Sequence, residues 1–185
     1  MHDKKRPNHK EKERSYSRRL YTRSSKEKSK ESDGNFKIKY INSQGLTKTK
    51  MIELEQLCKG KNELVLLSET HMKYNKININ EKYSVINKMR PNDDKKGGGL
   101  QAFYRRYASF KMIEVENDNN DILVLLVEIE SMKIYIILVY FSVQNNLNDK
   151  KRNVKMKNDL ESLLSRLEGP ILVIGDLNAH VQGLG

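Results

Sequence analysis

Two polar residues, Asp176 and Asn178, stand at the exit of an apolar run within GPILVIGDLNAHVQG, residues 169–183. Ile171, Leu172, Val173 and Ile174 follow a Gly-Pro break and make a run short and apolar enough for a strand buried on both faces. If extended geometry continues past the strand, the two polar side chains point the same way, since strand residues two apart share a face. The strand would then deliver a carboxylate and an amide to a loop rim, with Gly175 and Gly183 allowing close backbone approach. A carboxylate can hold a hard cation or a proton, and an amide can donate to a charged oxygen without titrating. A solvated Asp-x-Asn turn after a core strand accounts for the same pair without chemistry.

Three earlier apolar segments also end in polar residues: YINSQGL at Asn42, LVLLSETH at Glu69 and IYIILVYFS at Tyr140. Together with GDLNAH, this ordered set resembles the endonuclease/exonuclease/phosphatase superfamily, and within it the endonuclease domains of non-LTR retroelements, from about Phe36 onward. The resemblance implies an α/β fold of four layers, DNase I-like, in which a two-sheet β-sandwich is flanked by helices. It implies phosphodiester hydrolysis on nucleic acid, DNA in the first instance, with magnesium as cofactor and manganese as a substitute.

Such hydrolysis needs an activated water, neutralised phosphoryl oxygens and help for the leaving oxygen. Magnesium suits it, preferring oxygen ligands and being held by one or two carboxylates plus waters and substrate. By resemblance Glu69 is the metal carboxylate and Asn42 helps to position metal or phosphate beside it. Asp176 of the G-D-x-N motif lies near the attacking water or leaving group, and Asn178 bonds the scissile phosphate. Tyr140 matches a strand-end phosphate contact, although relatives continue Tyr-x-Pro where this chain has Tyr140-Phe141-Ser142.

The same resemblance calls for a further Asp and then a Ser/Thr-Asp-His segment carrying the general-base histidine. The sequence ends at Gly185 without them, and neither His71 nor His180 matches that histidine. The expectation is therefore a domain incomplete at its C-terminus and impaired in cleavage. Two alternatives stay open: a non-catalytic or vestigial nucleic-acid-binding protein, and a phosphatase of the same superfamily.

The elements that must position these residues are legible as periodicities. Phe36, Ile38 and Tyr40 alternate with polar residues toward Asn42, as a first strand does. Thr47 is placed to cap a helix carrying Met51, Leu54, Leu57 and Cys58 on one face and stopped at Gly60. Leu64 to Leu67 and Ser84 to Asn87 read as strands, Pro91 to Lys96 as an exposed turn, and the triple glycine 97–99 as the bend before a strand over Leu100 to Tyr104. Ile122 to Val127 and Ile134 to Tyr140 predict an antiparallel hairpin joined through Glu128 to Lys133. Asn153 to Glu168 carries Met156, Leu160, Leu163, Leu164 and Leu167 at helical spacing, ended by Gly169-Pro170.

The chain has 185 residues, one domain's worth, and a formal net charge of +11. Residues 1–34 hold 12 Lys and Arg against 6 Asp and Glu, a net +6, leaving +5 for the rest. With Leu20 as its only aliphatic residue beyond Met1, this basic tail is expected to be disordered, either a solubilising extension or a phosphate-neutralising arm. Lys4-Lys5-Arg6-Pro7 within it could serve nuclear import. The fold proper is expected over 35–185. Cys58 is the sole cysteine, so neither an internal disulfide nor a zinc site built on several cysteines is available, which favours an intracellular setting. No apolar run approaches the ~18 residues of a membrane span.

Overall fold

The computed structural model describes residues 35–72, 80–90, 98–143 and 147–178. All belong to the compact unit Asp33–Gly185. The basic tail, the turn expected at Pro91 to Lys96, Gly97 and His180 lie outside the described residues.

Two four-stranded sheets form the centre. The first contains β1 (Lys37–Asn42), β2 (Glu63–Ser68), β3 (Tyr83–Lys88) and β4 (Leu100–Arg105), in the order β1-β2-β4-β3. The second contains β5 (Lys111–Val115), β6 (Ile122–Ile129), β7 (Met132–Tyr140) and β8 (Ile171–Asp176), in sequence order. Each sheet has one parallel pair, β1 with β2 and β7 with β8, the other pairings being antiparallel. Helix α1 (Lys48–Leu57) links β1 to β2, and α2 (Leu147–Leu164) lies between β7 and β8.

The continuous apolar runs are explained by burial on both faces. Leu64 and Leu66 of β2, Leu123 and Leu125 of β6, and Ile136 and Leu138 of β7 fill the space between the sheets. Their neighbours turn outward: Val65 and Leu67 meet Leu54 of α1 and Cys58 at its C-cap, while Val124, Ile137 and Val139 meet Met156 and Leu163 of α2. The layers are thus helix, sheet, sheet, helix, the four-layer sandwich expected.

Several boundaries differ from the sequence expectation. Thr47 caps α1 through its side-chain oxygen, 3.3 Å from Lys50 N. The helix closes at Cys58 rather than Gly60, and Leu57 is exposed instead of sharing the buried face. Helix α2 begins at Leu147, because only its packed part is apolar and its first turns, with Leu147 and Val154 exposed, are polar in sequence. The β6–β7 hairpin runs on to Ile129 opposite Met132, so Glu128 and Lys133 pair across the strands instead of forming the connection. Strand β5 escaped sequence reading because it is an edge strand with Ile113 exposed.

Strand β8 is the main correction. It is not buried on both faces: it pairs only with β7 among the described strands, and Val173 is 40 % exposed. Its register is nonetheless tightly set. Gly175 sits opposite Val139 at φ +148, and a Cβ there would overlap the Val139 carbonyl oxygen. Gly175→Ala is therefore expected to destabilise the fold by roughly 2–4 kcal/mol through backbone strain and overpacking. A change below ~0.5 kcal/mol in urea unfolding, the usual range for innocuous surface substitutions, would contradict this packing.

Candidate active site

The polar residues that close the strands share one parity. In β1 the residues facing the inter-sheet core are Ile38 and Tyr40, and two further on is Asn42; in β7 they are Ile136 and Leu138, then Tyr140; in β8, Ile174 and then Asp176. Period-2 alternation therefore aims three polar side chains into the gap between the sheets. Asn42 is level with Ser68 and Tyr140 with Asp176, so both parallel pairs end together. Strand β1 lies against β8 and β2 against β7.

The sheets are joined at this rim. Asn42 Nδ2 donates to Asp176 Oδ2 at 2.9 Å, across 134 residues of chain. The Tyr140 phenol lies near enough to Glu69, just beyond β2 of the opposite sheet, for that carboxylate to act on it. Within the first sheet, Tyr40 and Ser68 hydroxyls lie 2.8 Å apart. Burial pushes the Tyr140 phenol up from its ordinary value, helped by the Glu69 carboxylate beside it and by the charge of Asp176, with Arg90 partly offsetting. Burial also raises Tyr40, and the same two carboxylates add to the shift. Glu69 and Asp176 thus act together on both phenols, which stay protonated and able to donate.

Asp176 and Asn178 do not extend in parallel as the sequence suggested. Asn178 adopts φ +41, and its backbone N–H donates to Asp176 Oδ1 at 3.1 Å. An Asx turn has replaced extended chain, and the Asn178 amide donates to the Phe141 carbonyl. The turn holds the loop to the end of β7, where Phe141 N also donates to Asp176 O at 2.8 Å. Both Asp176 carboxylate oxygens are engaged, while Asn178 Nδ2 carries a second proton it can offer.

Glu69 itself sits at φ +51, just beyond β2, with its side chain 18 % exposed and its Oε2 3.9 Å from His71 Nε2. The following backbone is held by the glycine segment read as a simple bend: Thr70 N donates to Gly99 O and His71 N to Gly98 O. Both glycines have positive φ, and a Cβ on Gly99 would lie 2.5 Å from Thr70 Oγ1.

Sequence reasoning missed Arg90 and Asp121 altogether. Their side chains are 6 % and 8 % exposed, and Arg90 Nε donates to Asp121 Oδ1 at 2.6 Å. Arg90 also donates to Ser142 Oγ at 3.1 Å and stacks its guanidinium 5.1 Å from the Tyr140 ring centroid. Ser142 is in turn gripped by the buried Asn153 of α2, through both its backbone N–H and its carbonyl. The only advance signal was an arginine two residues beyond a strand end.

Among the described residues no group of three or more His, Cys, Asp or Glu could hold a metal by itself. The donors present, Glu69 and Asp176 carboxylates with the Asn42 amide, still fit magnesium in type, since that ion completes its shell with water and substrate oxygens.

No family sequence model matches this chain, and no curated protein matches it by sequence. Solved structures do match by fold. The endonuclease domain of TRAS1, a telomere-specific non-LTR retrotransposon, superposes with a TM-score of 0.55 at 15% identity, over 77% of this chain and 60% of that one. The 3' phosphatase NExo from Neisseria, solved bound to a product DNA hairpin, gives 0.54 at 11%, over 76% and 57%. TDP2 of D. rerio, complexed with a single-strand DNA product, gives 0.50 at 17%, over 78% and 61%. The chain thus spans about 60% of the length of the structures it matches.

The Arg90 brace yields a prediction. Asp121→Ala leaves a buried guanidinium without its carboxylate and is expected to cost about 3–5 kcal/mol. Arg90→Lys, which cannot keep the fork and the stack together, should cost less. Denaturant unfolding of both variants checks this, and an Asp121→Ala change within 0.5 kcal/mol of zero, roughly the surface-substitution range, would contradict it. Strand order and layers give this chain a DNase I-like four-layer fold, the fold it shares with the TRAS1 endonuclease domain and NExo.

Proposed function

We propose that this chain carries the metal- and phosphate-binding face of a magnesium-dependent phosphodiesterase acting on DNA, of the retroelement endonuclease type. The observation that carries the reading is the Asn42–Asp176 bond. It makes one acidic, amide-lined rim from strand ends of two sheets.

In this reading Glu69 and Asn42 hold the divalent ion, magnesium or manganese. When bound, the ion neutralises charge on the phosphoryl oxygens and lowers the pKa of a coordinated water. Tyr140, kept protonated by burial and by the Glu69 carboxylate beside it, donates to that carboxylate or to a phosphate oxygen. Asn178 offers its second amide proton to a non-bridging oxygen. Asp176, fixed by the Asn42 amide and the Asn178 N–H, places negative charge beside the attacking water or leaving oxygen.

Those two bonds occupy both Asp176 carboxylate oxygens, so neither stands free to take a proton from the attacking water. The chain is therefore expected to nick DNA slowly, since want of a positioned base typically loses ~10²–10⁴ in rate. The test is nicking of supercoiled plasmid with magnesium, manganese or a chelator. Slow, metal-dependent nicking that disappears in Glu69→Ala and in Asp176→Ala is expected. Metal-independent nicking, or nicking that survives both substitutions, would overturn the reading. Phosphate release from a 3'-phosphorylated oligonucleotide without nicking would favour a phosphatase instead.

A further inference from the structure

The opposite end of the first sheet carries a second cluster that the candidate active site does not use. Lys61 precedes β2, Lys82 precedes β3 and Arg105 closes the antiparallel β4 opposite Tyr83, so all three gather where β2 begins. Glu69 follows the other end of β2, whose six residues span roughly 17–20 Å. Lys61, Lys82 and Arg105, with Tyr107, line a cavity of about 180 Å³. Its walls are mostly the aliphatic stems of the basic side chains and the Tyr107 ring, which leaves the charged ends at the rim.

The cluster is built rather than accidental. Three backbone bonds tie its segments together: Arg106 N to Lys82 O at 2.8 Å, Ser109 N to Lys61 O at 3.0 Å, and Ala108 N to Arg105 O at 3.0 Å. Phe110 anchors the loop's far end in the inter-sheet core. Ser109 Oγ adds a bond to Asn62. No carboxylate of the described residues forms an ion pair with any of the three cations. The ring of Tyr107 stands 80 % exposed beside them.

We propose that Lys61, Lys82, Arg105 and Tyr107 form a second binding site, for single-stranded nucleic acid, with backbone phosphate held by the basic side chains at the rim and an unpaired base stacked on Tyr107. Three basic side chains with no carboxylate partner among the described residues suit phosphate oxygens, and an exposed aromatic ring beside them suits a base face, which a duplex would keep covered. The recess and the single aromatic disfavour a lipid surface, which is better met by a broad apolar face with basic flanks. The site extends the nucleic-acid reading of the first site but stands on different residues.

The test is anisotropy of a labelled oligothymidylate against the full chain, in chelator and over a range of salt. In Lys61→Gln/Lys82→Gln, losing two phosphate contacts should lower the salt slope by about 1.4, at ~0.7 per single-strand phosphate. Tyr107→Ala should weaken binding about 5- to 100-fold with little change in slope, Tyr107→Phe should restore it, and Asp176→Ala should leave these effects in place. Circular dichroism confirms that each variant is folded. Wild-type affinity and slope in both the double variant and Tyr107→Ala would overturn the proposal, whatever the plasmid assay shows. Loss of binding to phosphatidylserine vesicles with oligothymidylate binding unchanged would overturn it in favour of a membrane surface. Conversely, these effects in a chain that nicks nothing would leave this site standing without the first.

Discussion

The hydrogen bond from the Asn42 amide to the Asp176 carboxylate is the contact through which two sheets come to share one site. Each sheet presents a parallel pair whose members end level with one another, and the inter-sheet core packs the pairs together. Side-chain alternation then has no choice but to bring the next inward residue of each strand to the same rim. An amide facing a carboxylate satisfies both groups without cancelling the charge, which leaves Asp176 and Glu69 acting as anions on the tyrosines between them. A rim of this kind is complementary to a small hard cation and its phosphate, and a buried Lys in the place of Asn42 would have removed that complementarity.

Positive charge on this chain is correspondingly kept in two states. At the rim, the one stacked guanidinium is spent on Asp121 and Ser142 and braces Tyr140 from behind, so it fixes geometry without neutralising the carboxylates. At the far end of the first sheet, Lys61, Lys82 and Arg105 have no carboxylate partner among the described residues. This basic cluster and the acidic rim occupy opposite ends of β2.

Much of this was legible in sequence, for physical reasons. The runs 64–67, 122–127 and 134–140 are apolar at every position or nearly so because both faces of those strands are covered, and each stops where the chain leaves the core. That is why Asn42, Glu69, Tyr140 and Asp176 could be singled out. The left-handed turn at Asn178 could not, since Asp-x-Asn supports both extended chain and an Asx turn, and the hydrogen bond to Phe141 decides between them. Arg90 and Asp121 were invisible because their pairing joins distant segments with no local pattern. The exposure of Val173 was misjudged because an apolar run looks the same on an edge strand as in a sheet centre.

The central claim, that side chains from both sheets serve one metal-and-phosphate site, is tested most directly by linkage between the two ligands. Calorimetric titration of magnesium, with and without an uncleavable phosphorothioate oligonucleotide, measures that coupling. The account predicts that each ligand tightens the other by the same factor, at least about fivefold, as reciprocity requires. Glu69→Ala in one sheet and Asp176→Ala in the other should each remove the coupling. Magnesium binding indifferent to the oligonucleotide, or coupling that survives either substitution, would contradict a shared site.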